Sequence, residues 1–233
     1  MSMNNHKSNP EPDAPQRVCM ELVDVITQIP DVISIAVFGS LADDSWDAYS
    51  DVDLLVVTDC LDTCAWQVAD AIGQCKPVQF YRMFSSDRQP AGRYWFADES
   101  PLTRLDISFH SSQTFAQLQD SGRYMDHPVA WRLLYQRDNG STLVTTEQSR
   151  PIALQSITAD ETHLGERIYR MVRAIKNDLR QQSFRYSLED CINWLNEAIT
   201  QTQAITLIGG DGHALARACL VMARQQQMHH AAD

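Results

Sequence analysis

The sequence predicts an α+β fold, a mixed β-sheet flanked by helices, followed by a helical C-terminal domain. Three observations carry that expectation. Short β-branched and aromatic runs crowd into residues 32–136, helical stripes with N-cap signals fill the chain after residue 158, and two aspartates, Asp51 and Asp53, stand at the head of an apolar run where a buried strand begins.

The elements follow in order. Val18, Leu22, Val25, Ile26 and Ile29 recur at helical spacing until Pro30 stops them. "VISIAVF", Val32 to Phe38, is apolar on both faces like a central strand, and Gly39-Ser40 ends it. Residues Asp53 to Val57 read as a second strand, and Thr63 to Gly73 as a helix closed by a glycine. Three further strands are expected at Val78 to Phe84, Arg93 to Ala97 and Thr103 to Phe109, and Asp138, Asn139 and Gly140 mark a turn between two apolar runs.

Beyond residue 150 the pattern becomes helical. Thr158 with Glu161, and Ser187 with Asp190, are capping boxes. Behind them run the stripes Leu164, Ile168, Met171, Val172, Ile175, Leu179 and Leu188, Cys191, Ile192, Leu195, Ile199, with a third helix near Ala214 to Gln227. The expected division is a disordered tail over 1–15, a sheet-based domain over 16–150 and a helical domain over 151–233.

Composition narrows the function classes. Thirty acidic residues against nineteen basic ones give a formal net charge of −11, which argues against binding duplex nucleic acid or an anionic membrane surface. The polar, proline-bearing start has no apolar signal region and no 18-residue apolar run follows, so a cytoplasmic protein is expected. The six cysteines form no CxxC pair and read as reduced thiols.

The chemistry is carried by carboxylates. In a strand, residues two apart share a face, so Asp51 and Asp53 project together with Cα atoms roughly 7 Å apart. Two carboxylates about 4 Å apart repel by about 4 kcal/mol at an effective dielectric near 20, and a divalent cation between them removes that cost. An oxygen-only site with room for water and phosphate suits Mg²⁺. Gly39 lets backbone approach an anion closely, and the Ser40 hydroxyl can donate to a phosphate oxygen. In "RLDISFH", Arg104, Asp106, Ser108 and His110 share the face opposite Leu105, Ile107 and Phe109, which makes Asp106 a third carboxylate inside a strand pattern. Three such groups could hold two metal ions.

A strand, Gly39-Ser40, ten intervening residues, Asp51-Val52-Asp53-Leu54 and a later strand with Asp106 resemble the signature of the DNA polymerase β-type nucleotidyltransferase superfamily. Size and the helical C-terminal half are most similar to the aminoglycoside and lincosamide nucleotidyltransferases. The resemblance implies a nucleotidyltransferase fold with a catalytic domain over 16–150. It makes Gly39 and Ser40 the triphosphate-holding pair, Asp51 and Asp53 catalytic metal ligands, and Asp106 the third ligand or general base. It also implies two Mg²⁺ ions, ATP or another nucleoside triphosphate as substrate, and transfer of AMP to a hydroxyl of a small molecule such as an aminoglycoside-like antibiotic, with release of pyrophosphate and a role in antibiotic resistance. The alternative is a nucleotidyltransferase-type antitoxin or regulator acting on, or binding, a protein partner.

One departure stands out. Many members carry Arg-Gly soon after Gly-Ser, whereas Leu41, Ala42, Asp43 and Asp44 follow here, so cations must come from elsewhere. Arg170, Arg173, Asn177 and Arg180 form a polar stripe at helical spacing with Lys176 beside it. Folded over the cleft, Arg173 and Lys176 would bind the nucleotide's β- and γ-phosphates; a solvated helix face is the competing reading. Arg82, Arg88, Arg93 and Arg104 are a second reserve. The acidic loop of Asp43, Asp44 and Asp47 reads as a solubilising stretch or as a contact for a polycationic acceptor.

Overall fold

Pro15 has its fixed φ where the first turn of helix α1 (Ala14–Ile26) needs no N–H donor, and Val18, Leu22 and Ile26 form the buried face that follows. Ala14 and Pro15 are themselves buried, so the helix takes in the last two residues of the expected tail. The computed structural model describes residues 10–86, 89–121, 123–124, 127–128, 130–137, 159–183, 185–201 and 212–230. The expected turn at Asp138, Asn139 and Gly140, the Thr158 cap and Arg88 lie outside them.

After α1 come β1 (Ser34–Phe38), a single 3₁₀ turn (Gly39–Leu41), β2 (Val52–Val57) and α2 (Leu61–Cys75). The hairpin β3 (Val78–Ser86) and β4 (Gln89–Phe96) precedes β5 (Arg104–His110). Helix α3 (Ser112–Ser121), a small ribbon of β6 (Arg123–Tyr124) and β7 (His127–Pro128), and β8 (Trp131–Gln136) complete the sheet half. Three long helices follow, α4 (Ala159–Leu179), α5 (Leu188–Gln201) and α6 (Gly212–His230). Helix α3 and the ribbon were not legible in the sequence. The α3 segment "SQTFAQLQDS" buries only Phe115, so it has almost no apolar stripe.

The main sheet has six strands in the order β3-β4-β5-β2-β1-β8. Only β2 and β5 run parallel; every other neighbouring pair is antiparallel. A parallel pair needs a long crossover, and α2 with the β3-β4 hairpin supplies it. Buried on both faces, β2 lies in the middle, which accounts for its near-continuous apolar run after Asp53.

Alternation divides the side chains cleanly. Leu54, Val56, Leu105, Ile107, Tyr94 and Phe96 meet Val18, Leu22, Ile26, Val68 and Ile72 of α1 and α2 in the larger core. On the opposite face, Ala36, Leu55 and Val57 meet Phe115 of α3, while Phe80 and Trp95 meet the buried stripes of α4, α5 and α6. Between these two apolar seats lies a strip of the sheet that neither covers with hydrocarbon, and it holds the charged residues of β2, β4 and β5.

Capping and a buried ion network fix the ends of these elements. Ser187 Oγ accepts from the Asp190 N–H at 3.0 Å and donates to Asp190 Oδ2 at 2.7 Å, the capping box expected for α5. Lys76, just past the end of α2, donates to Glu99 at 2.9 Å, Glu21 at 3.0 Å and Asp98 at 3.2 Å. Arg17 closes the network with two 2.9 Å bonds to Glu99. Lys76 and Glu99 are each 4% exposed. Removing Lys76 takes one of two cations from the buried Glu99 carboxylate and leaves it Arg17 alone. Lys76→Ala is therefore expected to destabilise the protein by about 3 kcal/mol, read as a drop in the urea midpoint.

Candidate active site

Strand register assembles the site. Across the parallel ladder Asp53 is the direct partner of Asp106, and across the next ladder Asp106 is the partner of Arg93. Asp51 immediately precedes β2, two residues from Asp53 and on the same face. The chain turns at Gly39 with φ of +60°, a left-handed conformation that disfavours any residue with a Cβ. A Cβ on Gly39 would point at Asp53 Oδ2, 3.5 Å away, so this turn borders the carboxylate directly. The Gly39 N–H donates to the Ala130 carbonyl at 3.1 Å, and the Ser40 hydroxyl is the side-chain donor that this pair can offer an anion.

The three carboxylates differ sharply in their partners. Arg104 Nη2 donates to Asp51 Oδ2 at 2.8 Å and to Asp106 Oδ2 at 3.0 Å, and its Nε lies 2.8 Å from Asp106 Oδ1. Lys176 of α4 donates to Asp51 Oδ1. Asp53 makes no hydrogen bond or ion pair among the described residues.

The proton affinities follow from these surroundings. Burial pushes the Asp51 carboxyl up, but the charges of Arg104 and Lys176 outweigh it and hold the group below its ordinary value. Asp53 is pushed up to about 7, by burial first and then by the charges of Asp106 and Asp51. Lys176 is pulled down by burial despite the opposing charge of Asp51. For Arg104, burial works downward, yet Asp106 and Asp51 hold the guanidinium above its ordinary value.

Helix α4 crosses the site like a beam. Glu166 faces Arg82 and Arg93 at 3.7 and 4.0 Å, Tyr169 lies under the guanidiniums of Arg93 and Arg104 at 4.1 and 4.6 Å from its ring centre, and Lys176 reaches Asp51. Just past the helix, Arg180 Nε donates to Asp47 Oδ2 at 2.7 Å. Of the two nucleotide-binding residues expected on this helix, the structure brings Lys176 into the carboxylate cluster. Arg173 stays exposed, bonded to the Tyr169 hydroxyl at 3.0 Å, though its charge still reaches Asp51.

Arg104 is the residue that sequence reasoning undervalued. It was one of four arginines in reserve, yet it is 3% exposed and bridges two of the three carboxylates. The signal was present in the alternation Arg104-x-Asp106, which sets both side chains on one face. The acidic loop spends its carboxylates within the chain. Asp47 organises its own turn through Tyr49 and Ser50 as well as binding Arg180, Asp44 pairs with Arg132 at 3.0 Å, and Asp43 accepts from the Ser45 hydroxyl at 2.6 Å.

The donor set fits a hard divalent cation. All three groups are carboxylates, their mutual repulsion is written into Asp53, and Gly39 keeps the space beside that carboxylate clear of side chain. No group of three acidic, histidine or cysteine side chains is gathered as a cation cage among the described residues.

Comparison with known proteins gives this arrangement a class. Residues 19–75 match the family model of the nucleotidyltransferase domain. That segment contains most of α1, β1, the Gly39-Ser40 turn, β2 with its aspartates, and α2. The likeness to the nucleotidyltransferase domain thus falls on the segment that carries the Gly39-Ser40 turn and both strand aspartates, within a mixed six-stranded sheet followed by helices.

Solved structures show partial likeness. A cytoplasmic RNA terminal U-transferase is 21% identical over 41% of this chain and 29% of its own length, with a TM-score of 0.34. The GLD-2/RNP-8 complex gives 16% identity over 43% and 39%, with a TM-score of 0.35. The STING-associated CdnE c-di-GMP synthase from Capnocytophaga granulosa gives 16% over 93% and 78%, with a TM-score of 0.30. The matched region thus takes up well under half the length of the first two. No curated protein matches the chain. The narrower resemblance to aminoglycoside and lincosamide enzymes is not shown by these likenesses. Among the described residues no helix is long and apolar enough to cross a membrane.

The state of Asp53 has a measurable consequence. An acid whose folded pKa is raised binds more protons in the folded than in the unfolded chain, so without metal it makes stability fall as pH rises from about 4 to about 7. Asp53→Asn removes that charge. In EDTA the variant is expected to melt above wild type at pH 8, and the gap to shrink as the pH is lowered to 4. A gap independent of pH would show that Asp53 titrates normally.

Proposed function

We propose that the chain is a Mg²⁺-dependent nucleotidyltransferase that moves a nucleoside monophosphate, AMP from ATP, to an acceptor hydroxyl and releases pyrophosphate. The observation that carries this reading is the convergence of Asp51, Asp53 and Asp106 on one sheet face beside the left-handed Gly39 turn.

Each residue has a role that its position supports. Ser40 donates to the phosphates as they pass the turn, and Lys176 brings positive charge to the seam where Asp51 and the triphosphate meet, with Arg173 one helical turn away. Asp53 and Asp51 would hold the cation, with Asp106 beside them as the base. Magnesium bound there would supply charge neutralisation for the phosphates and polarisation of the reacting oxygens. Arg104 keeps Asp51 and Asp106 in fixed geometry from the protein side. The acceptor oxygen forms its bond to the α-phosphorus, the bond from that phosphorus to the pyrophosphate oxygen breaks with its electron pair, and Asp106 receives the hydroxyl proton.

The expectation of an aminoglycoside-like acceptor came from the family resemblance, with the acidic loop as a supporting contact. With Asp44 and Asp47 tied to Arg132 and Arg180, the loop no longer argues for a polycationic partner.

Asp53→Asn is expected to abolish Mg²⁺-dependent pyrophosphate release while circular dichroism shows the fold intact. Release persisting in that variant would remove the assignment. Lys176→Ala is expected to raise the KM for ATP at least tenfold and Arg173→Ala by a smaller factor, both read from initial rates of pyrophosphate release. Unchanged values in both would take α4 out of nucleotide binding.

A further inference from the structure

The row of the sheet that holds the carboxylates continues into two arginines. Arg82 and Arg93 are cross-strand partners on β3 and β4, Arg93 is the partner of Asp106 on β5, and Asp106 is the partner of Asp53 on β2. One line across four strands therefore reads Arg82, Arg93, Asp106, Asp53, positive at one end and negative at the other.

Like charges directly opposite one another in a sheet repel. Both side chains are mostly covered, at 19% and 20% exposure. Glu166 stands against the pair at 3.7 and 4.0 Å and also takes Arg170 at 3.1 Å, while Arg93 Nε lies 3.5 Å from Asp106 Oδ1. Burial and the neighbouring Arg93 both pull Arg82 below its ordinary pKa, with Glu166 acting the other way. Tyr169 fixes the plane of Arg93 from α4, with the guanidinium 4.1 Å from its ring centre. Two guanidiniums on one row of the sheet, one of them set against a ring, offer the planar donors that the oxygens of a phosphate group accept.

In-line geometry indicates what meets them. In displacement at phosphorus the incoming and leaving oxygens lie on opposite sides. With the triphosphate over Gly39-Ser40, at the β1-β2 end of the row, pyrophosphate departs toward that end. The acceptor then enters from the β4-β3 end, past Asp106 and over the two arginines. We infer, on the basis of the nucleotidyl-transfer reading above, that the acceptor is a small hydroxyl compound bearing a phosphate group, which Arg82 and Arg93 hold while the hydroxyl attacks beside Asp106. The acceptor's own phosphate is bound and not altered; the bonds made and broken are those at the α-phosphorus of the nucleotide.

The test measures label transfer from α-labelled ATP with Mg²⁺ to two matched pairs, adenosine against AMP and glucose against glucose 6-phosphate, and to a short oligoribonucleotide. A phosphorylated member is expected to show a KM at least tenfold below that of its uncharged counterpart. Arg82→Gln is expected to erase this preference, and Arg82→Lys, which keeps the charge, to retain part of it. No transfer to either phosphorylated compound, or equal KM values within both pairs, overturns the proposal. So does an Arg82→Gln variant whose KM for ATP rises by the same factor, which assigns the arginines to the triphosphate, or transfer confined to the oligoribonucleotide. A wild-type protein that releases no pyrophosphate under any condition defeats the nucleotidyl-transfer reading separately. The anion site is then read by calorimetric titration of glucose 6-phosphate into the metal-free protein, where at least tenfold weaker binding in Arg82→Gln is expected and equal or undetectable binding in both proteins overturns it.

Discussion

The parallel pairing of β2 with β5 is the constraint on which the rest of the site depends. Register across that ladder makes Asp53 and Asp106 direct neighbours, and Asp51 joins them from the end of the same strand. Like charges at such separations cost about 4 kcal/mol per pair at an effective dielectric near 20, so the surroundings must answer them. Arg104 arrives from β5 itself, Arg93 from β4 and Lys176 from α4. The answer is uneven: Asp51 and Asp106 are held and Asp53 is not, which leaves one carboxylate poised between its protonated and ionised forms near neutral pH.

Helix α4 links this electrostatic problem to the packing of the C-terminal half. Its apolar stripe, with Leu164, Ile168, Met171 and Ile175 buried, anchors it against Phe80, Trp95 and the other helices. Its polar face meets Arg82 and Arg93 at Glu166, Arg93 and Arg104 at Tyr169, and Asp51 at Lys176, and the chain just beyond meets Asp47 at Arg180. From Glu166 to Lys176 the helix rises about 15 Å, at roughly 1.5 Å per residue, enough to span several strands of the sheet. Hydrocarbon burial thus sets where the cations of α4 meet the carboxylates of the sheet.

Legibility from sequence followed periodicity. Strands β1, β2 and β5 and helices α1, α4 and α5 were readable because each has a long or strictly alternating apolar pattern, and the Ser187 capping box was readable because it is local. Helix α3 was not, since one buried phenylalanine makes no stripe, and neither was the β6-β7 ribbon of two-residue strands. Within the site, Asp51, Asp53, Asp106 and Gly39 could be named in advance because their spacing is fixed by two-residue alternation and by a turn. Arg104 was visible only as one arginine among several. Nothing in a stripe of Arg170, Arg173, Asn177 and Arg180 told that the lysine beside it would be the group to go inward.

The sequence by itself determined which residues could do chemistry and on which face of their own element they stand. Those are matters of backbone period, 2.0 in a strand and 3.6 in a helix, and they need no distant contact. The tertiary structure decided the partners. That Arg104 clamps Asp51 with Asp106, that Asp47 turns to Arg180 instead of outward, and that Arg82 and Arg93 extend the carboxylate row all depend on strand order and helix docking. The bonds of Arg104 to Asp51 and of Arg180 to Asp47 join residues 53 and 133 positions apart in the chain, and a buried charge takes whichever opposite charge the packing sets beside it.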